Sequence, residues 1–354
     1  MLLTAYPPAV PPRFLALVSL IALAGCAAPD SGAPPVTQCN VDPDAPVWTD
    51  APGGVDLPEP PGPSCMSVVW AGDILLADAA LPTLQAEGYD HPFEHVQHLL
   101  DAGDVVIGNA EGPITEIEEA WNSGQQWNYN ALPEAAQALA DAGFDALSLA
   151  NNHLNDRGPE GIADTLGHLD DVGVAAFGGG MDLSEARAPF VFASPMGLVA
   201  VFGFGKPSNW VDPATPTQPG QLLLNATNAN AAISVAEDLG VAYTVAFPHW
   251  GANYSDVSNT QRNQARILID AGFDLIVGHG PHNEQGDVEE IDGVPVLWSL
   301  GNFTFGTPGR FDDEFPGVGL VATTTFGPGG LEGIELACIV TDNSVVAFQP
   351  WECE

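Results

Sequence analysis

The sequence predicts an α/β protein built as a layered sheet, and three observations carry that prediction. From Ser67 onward, short apolar runs suited to buried strands alternate with helical stretches. Four helical stretches stop at a glycine and run at once into a strand, the αβ unit of a layered sheet. Hydrophobic residues make up 45% of the 354, enough for a large core.

The N-terminus reads as an address. Phe14 to Ala24 is an apolar run of 11 residues behind Arg13. A transmembrane helix needs roughly 20 residues, so the run has the length of a signal-peptide core. It ends in Leu23-Ala24-Gly25-Cys26, which looks like a bacterial lipobox with Cys26 as the lipidated residue. Residues 1–26 are therefore expected to be a lipoprotein signal, and the protein to be exported and anchored by lipid, facing the periplasm or the cell exterior. Residues 27–66 are rich in Pro, Gly and Asp, too polar to bury a core, and are expected to be a disordered tether. Residues 67–354 are the folded domain.

Along that domain the expected strands are 68–71, 105–107, 146–149, 199–202, 243–247 and 275–277. The expected helices are 133–142, opened by a proline, then 159–172, 228–239 and 260–271. Further strands at 288–291, 294–298, 319–326, 331–340 and 345–348 suggest a second, more antiparallel sheet. Five cysteines are present. With Cys26 lipidated, an exported chain is expected to pair the other four, most simply as Cys39–Cys65 and Cys338–Cys353.

Charge narrows the function. Asp and Glu number 46 against 7 Lys and Arg, for a formal net charge of −39, and Lys206 is the sole lysine. Nucleic acid held through phosphates is excluded as a partner, and so is docking on anionic lipid through a basic patch. The only membrane contact expected is the lipid anchor.

Ligands of open α/β sheets gather at the carboxyl ends of strands. There this sequence places Asp73, then Asn109 and Glu111, then Asn151, Asn152 and His153 with Asp156 three residues on, then His249 and Trp250, then His279 and His282, and finally Asn302. Each has an ordinary reading alone, as a turn residue or a satisfied core histidine. Together they form a mixed carboxylate, imidazole and amide set converging on one edge. Such a set suits one or two divalent transition metals, Mn, Fe or Zn, and two-metal hydrolases are built this way. His91, His95, His98 and His168 lie in helix-like polar contexts and are expected to be solvated, as are Glu116, Glu118 and Glu119.

Six blocks, AGDILL (71–76), GNAEGPIT (108–115), LANNHLNDRGPEGIADTL (149–166), HWGANY (249–254), GHGPHNEQ (278–285) and SLGNFTF (299–305), carry a family resemblance. The sequence resembles the bacterial capsule-synthesis CapA family, also described as the poly-γ-glutamate capsule biosynthesis family, itself similar to calcineurin-type metallophosphoesterases. The resemblance implies a four-layer αββα sandwich and a metal-dependent hydrolase acting in capsule or envelope polymer metabolism. Its partner would be an anionic or phosphorylated envelope polymer or precursor; the alternative is a non-catalytic surface lipoprotein that binds or helps export such a polymer. By motif, Asp73, Glu111, Asn152, His249, His279 and His282 would hold metal, with Glu111 at a bridging position. His153 would be the general acid and Asp156 would orient it. Asn109, Asn151, Arg157, Trp250, Asn253 and Asn302 would bind substrate or shape the site. Many relatives carry Glu where this chain has Asn253, and the wider superfamily has His where this chain has Leu75.

Overall fold

The computed structural model describes residues 65–307, 317–341 and 348–353. The signal segment with Cys26, nearly all of the tether, Cys39 and most of the strand expected at 345–348 lie outside the described residues. No helix among the described residues is long and apolar enough to cross a membrane.

The chain first lays down β1 (Met66–Leu75), α1 (Leu81–Glu87), α2 (Gln97–Leu100), β2 (Val105–Ala110), α3 (Glu134–Asp141), β3 (Ala146–Ser148), α4 (Gly158–Asp171) and β4 (Ala175–Phe177). It continues through β5 (Gly179–Gly180), α5 (Leu183–Arg187), β6 (Phe190–Ser194), β7 (Gly197–Gly205), β8 (Gly220–Gln221), α6 (Ala226–Leu239) and β9 (Tyr243–His249). The last part holds α7 (Asn259–Ala271), β10 (Leu275–Val277), β11 (Glu289–Ile291), β12 (Val294–Leu297), β13 (Asn302–Phe305), β14 (Val318–Gly327), β15 (Gly330–Val340) and β16 (Trp351–Glu352).

Two mixed sheets result. The first runs β16-β15-β14-β1-β2-β3-β4, with β13 also paired to β1; the second runs β11-β12-β10-β9-β7-β6. Strands β1 to β4 are mutually parallel, as are β7, β9, β10 and β12. The last strands do not form a sheet of their own, as the sequence suggested. β14 extends the first sheet antiparallel to β1, and β15 and β16 follow, each antiparallel to the strand before it, while β12 joins the second sheet parallel to β10.

Strand alternation explains the layers. Val68 and Trp70 of β1 face Phe192, Val201, Val245 and Phe247 of the second sheet, in a core between the sheets. Their neighbours Val69 and Ala71 face the other way, onto residues of α1 to α4. Ala200, Phe202 and Ala246 turn outward from the second sheet onto α6 and α7. The order is helices, sheet, sheet, helices. Aromatic rings fill the central layer: Trp70 lies 5.9 Å from Phe247, and Phe247 lies 6.2 Å from Phe177. Truncating a ring buried there to alanine costs about 3–5 kcal/mol.

The helices end as their sequences dictate. Asn225 caps α6, and Gly240 closes it in the left-handed conformation. Ser258 and Gln261 form a capping box on α7. Gln261 then spends its amide on Gln285 Oε1 at 2.7 Å, tying α7 to the loop after β10. Cys338 and Cys353 are joined by a disulfide, Cα atoms 5.4 Å apart, which ties β15 to the segment after β16.

Candidate metal centre

The carboxyl ends of the parallel strands of both sheets meet at one edge, and the polar residues singled out in the sequence lie there. β1 is the pivot. Its pairing with β2 is irregular between Trp70 and Asp73, and its pairing with β13 shifts between Asp73 and Ile74. The Asp73 N–H donates to Gly301 O at 2.9 Å, so the two chains run very close. A Cβ on Gly72 would stand 1.9 Å from Gly301 O, so only glycine fits beside Asp73.

Asp73 is fully buried and sits at the centre of the cluster. Its Oδ1 accepts from Asn109 Nδ2 at 2.9 Å and lies 2.9 Å from His279 Nδ1 and 3.7 Å from His249 Nδ1. Its Oδ2 accepts from the Gly280 N–H at 3.0 Å and lies 3.5 Å from His282 Nδ1. Burial pushes the Asp73 carboxyl up, but hydrogen bonds with His249 and His279, and their charge, hold it well below the usual carboxylate range.

Two groups of side chains have donor atoms close enough to hold a metal ion: Asp73, His249 and His279, and Asp73, Glu111 and His282. Asp73 belongs to both. The motif resemblance gives the bridging position to Glu111; in the structure Asp73 is the residue common to both groups. His282 adopts a left-handed backbone, φ 63°, which aims its ring into the cluster and costs strain that a functional site tolerates.

The donor set fits cations. Both Glu111 carboxylate oxygens are buried without a hydrogen-bond partner, and so is His279 Nε2. Burial, then the charge of Asp73, raises the Glu111 carboxyl well above its ordinary value, with Lys206 opposing. A buried carboxylate with neither donor nor cation is costly, and a metal ion removes that cost. Burial also holds His249 down to about 3, against the pull of Asp73, and lowers His282. Both rings are therefore neutral near pH 7, the form that ligates metal. Asn152, expected as a ligand, places Oδ1 2.6 Å from His249 Nε2 and so orients that ring. Asn302 Oδ1 does the same for His282 Nδ1 at 3.0 Å.

A second unit borders the cluster. His153 Nδ1 lies 2.7 Å from Asp156 Oδ2, while its Nε2 faces Glu111 Oε1 at 3.9 Å. Asp156 is itself held by the Tyr129 N–H at 2.7 Å and by Gln125 Nε2 at 3.0 Å. The Tyr129 ring packs against the imidazole, tilted by 39° with centroids 4.3 Å apart. Asn151 locks the turn, donating to Asn109 Oδ1 and Ala110 O and accepting the His153 N–H at 3.0 Å.

Arg157, Trp250 and Asn253, expected to bind substrate or shape the site, take three different places. Arg157 donates to the carbonyls of Ile117, Asp156 and Asn128 and to Asn130 Oδ1, which makes it a staple for the 115–130 loop. Trp250 is buried under the site, stacked 5.6 Å from Trp298 with its indole N–H on Trp298 O. Asn253 is exposed on the turn after β9.

Lys206 belongs to the site, although no motif marked it. It follows β7, its N–H donates to His249 O at 3.0 Å, and its Nζ donates to Gly251 O at 2.7 Å. Burial lowers the ammonium, and the charges of Glu111 and Asp73 oppose that. Gln125 and Tyr129 were likewise missed, because they reach His153 and Asp156 from an adjacent loop rather than from a strand end.

Residues 67–307 match the family model described as bacterial capsule synthesis protein PGA_cap. The PGA biosynthesis protein CapA of Bacillus subtilis (strain 168) is 32% identical over 242 residues, 68% of this chain and 63% of that protein. The capsule biosynthesis protein CapA of Bacillus anthracis is 32% identical over 248 residues, 68% of this chain and 60% of that protein. The chain thus spans about three-fifths of the length of these relatives. A solved structure described as a novel phosphatase from Mycoplasma pneumoniae superposes with a TM-score of 0.49 at 11% identity, covering 79% of this chain and 95% of that one. Likeness at that level says nothing about chemistry.

Proposed function

We propose that this chain, which belongs to the bacterial capsule synthesis family PGA_cap, is an exported, lipid-anchored, metal-dependent hydrolase of the phosphoesterase type. Its substrate would be an anionic or phosphorylated capsule or envelope polymer, of which poly-γ-glutamate is the type the resemblance names, or a precursor of one. The observation that carries the reading is the pair of ligand groups sharing Asp73, beside a buried Glu111 whose oxygens have no other partner.

Asp73, His249 and His279 would hold one ion, and Asp73, Glu111 and His282 the other. Mn, Fe or Zn suit these donors. Such ions supply charge that neutralises a phosphoryl group and lowers the pKa of a water. The remaining steps belong to the protein. Asp156 accepts from His153 Nδ1–H and so fixes the tautomer, leaving Nε2 on the cluster side to carry a proton. Protonated there, His153 delivers that proton to a leaving oxygen, and the Asp156 carboxylate steadies the imidazolium. Tyr129 and Gln125 keep the ring in place. Lys206 Nζ has one hydrogen-bond partner among the described residues, Gly251 O, which leaves two ammonium protons for an anionic group.

A second reading, a polymer-binding surface protein without turnover, draws on Leu75. Relatives of the wider superfamily carry a ligand there, and in this chain the side chain is packed in the core. A phosphomonoester and phosphodiester screen of the Mn-loaded full chain separates the two readings. Turnover that is lost in His153→Ala, with metal content unchanged, supports the enzyme. Metal binding with no turnover on any substrate contradicts it.

A further inference from the structure

The loops around His153 present a surface unlike the rest of the molecule. Residues 120–133 carry no charged side chain, in a chain with 46 acids and 7 bases. Residues 121–130 read WNSGQQWNYN, aromatic rings set among amides. Trp121 and Trp127 are 61% and 48% exposed, and Trp210, after β7, is 42% exposed. These three are half of the six large hydrophobic side chains exposed among the described residues.

They gather in one place. The Trp121 N–H donates to Asp156 O at 3.0 Å, and its indole lies against Gly158, where a Cβ would stand 2.5 Å from Cε3. Gln125, between Trp121 and Trp127, donates to Asp156 Oδ1 at 3.0 Å and comes within 3.4 Å of His153 Nδ1. The Trp210 ring lies 4.0 Å from where a Cβ on Gly124 would stand. Two residues further on, the Asp212 N–H donates to Asn155 Oδ1 at 3.2 Å. Trp121 thus borders the segment 153–158 that carries His153 and Asp156, Trp127 precedes Asn128 and Tyr129, whose backbones bond to Arg157 and Asp156, and Trp210 lies on the loop that bonds to Asn155. None of their indole N–H groups has a protein hydrogen-bond partner among the described residues.

Apolar rings kept in water at the mouth of a buried polar site mark a contact surface. Charge selects the occupant. A polyanion approaching this face meets a net charge of −39 and finds no cation on the 120–133 loop. An anionic bilayer is repelled for the same reason. Flat indoles with free N–H donors, among Asn and Gln side chains, suit a ligand with apolar C–H faces and neutral hydroxyls. Three rings on two loops suit an extended chain of such units rather than a single base or ring.

We propose that the rim formed by Trp121, Trp127 and Trp210 binds the neutral sugar portion of a saccharide phosphoester whose phosphoryl group enters the cluster beside His153. The phosphoryl half rests on the phosphoesterase reading; the sugar half does not.

The test is a neutral glycan array of hexose and N-acetylhexosamine oligomers, probed with the full chain. Calorimetry with the retained oligomers, AMP and poly-γ-glutamate follows. The expected result is retention of a neutral oligosaccharide, with each of Trp121→Ala, Trp127→Ala and Trp210→Ala weakening it about tenfold. Asp73→Ala should leave sugar binding intact, so failure of the metal site and failure of the rim are told apart. Retention of no neutral glycan, preference for AMP or poly-γ-glutamate, or binding indifferent to all three tryptophans overturns the proposal. Unchanged thermal unfolding of the three variants shows that a loss of binding is not a loss of fold.

Discussion

Replacing Glu111 by Gln should make the metal-free protein more stable and the metal-loaded protein less so. Glu111 is 1% exposed, and both its oxygens lack a hydrogen-bond partner. A buried polar group left unsatisfied costs about 1–3 kcal/mol, and a charge costs more. The amide keeps the volume and sheds the charge. Its NH2 finds acceptors among the ring nitrogens of His282 and His153, which stand 3.7 and 3.9 Å from Oε1. The expected gain in metal-free protein at pH 7–8 is roughly 1–3 kcal/mol, or a few degrees in Tm for a domain of this size. With metal the order reverses. An ion present at a hundred times its Kd stabilises wild type by about 2.7 kcal/mol, and the variant has lost a ligand from one of the two groups. The assay is thermal and urea unfolding of chelator-treated and Mn-loaded proteins side by side. A metal-free variant clearly less stable than wild type would show that Glu111 is already satisfied by the protein, and the argument for a cation there would fail.

Asp156→Asn should cut turnover about 100-fold or more while leaving bound metal unchanged, since Asp156 touches His153 and neither ligand group; metal analysis beside kcat tests this, and parallel loss of metal would refute it. Asp145 offers a stability check remote from the cluster. It accepts the Val106 N–H at 2.7 Å, and burial raises its carboxyl to about 6. A carboxyl raised in the folded state favours folding most below its unfolded pKa near 4, and that contribution is lost as pH rises to about 6. For this half-buried group the loss is roughly 1–2 kcal/mol. Asp145→Asn keeps an acceptor for Val106, so its stability relative to wild type should climb between pH 4 and 6.5 in urea titrations. A difference that stays flat across that range contradicts the assignment.

Much of this site could be read from sequence because its chemistry sits where strands end. Asp73, Glu111, His249, His279 and His282 each follow an apolar run, and a run long enough to be buried declares its own end. Two of the helices between them are marked by proline at the start, and all four by glycine at the stop. Short strands are less plainly marked. β4 is only Ala-Ala-Phe, implied by the glycine that ends the helix before it but given no bounds, and β13 lies inside a segment read as chemistry rather than as structure. The fate of the last strands depends on which edge of which sheet is free, and no local pattern encodes that. Lys206 illustrates the same limit: it reaches the cluster only because β7 pairs with β9 in register, Gly205 opposite His249. Arg157 fails in the opposite sense. As one of only seven basic residues it suggested a contact with an anionic substrate, yet three oxygens of the loop that folds over it and Asp156 O take four of its five N–H donors.

The central claim is a two-ion centre joined through Asp73, and metal stoichiometry tests it most directly. Plasma mass spectrometry of the full chain after refilling with Mn should give two equivalents in wild type. His249→Ala and His282→Ala should each retain one, and Asp73→Ala should retain essentially none. A wild-type protein that takes up no metal, or an Asp73→Ala protein that keeps both ions, would contradict the account.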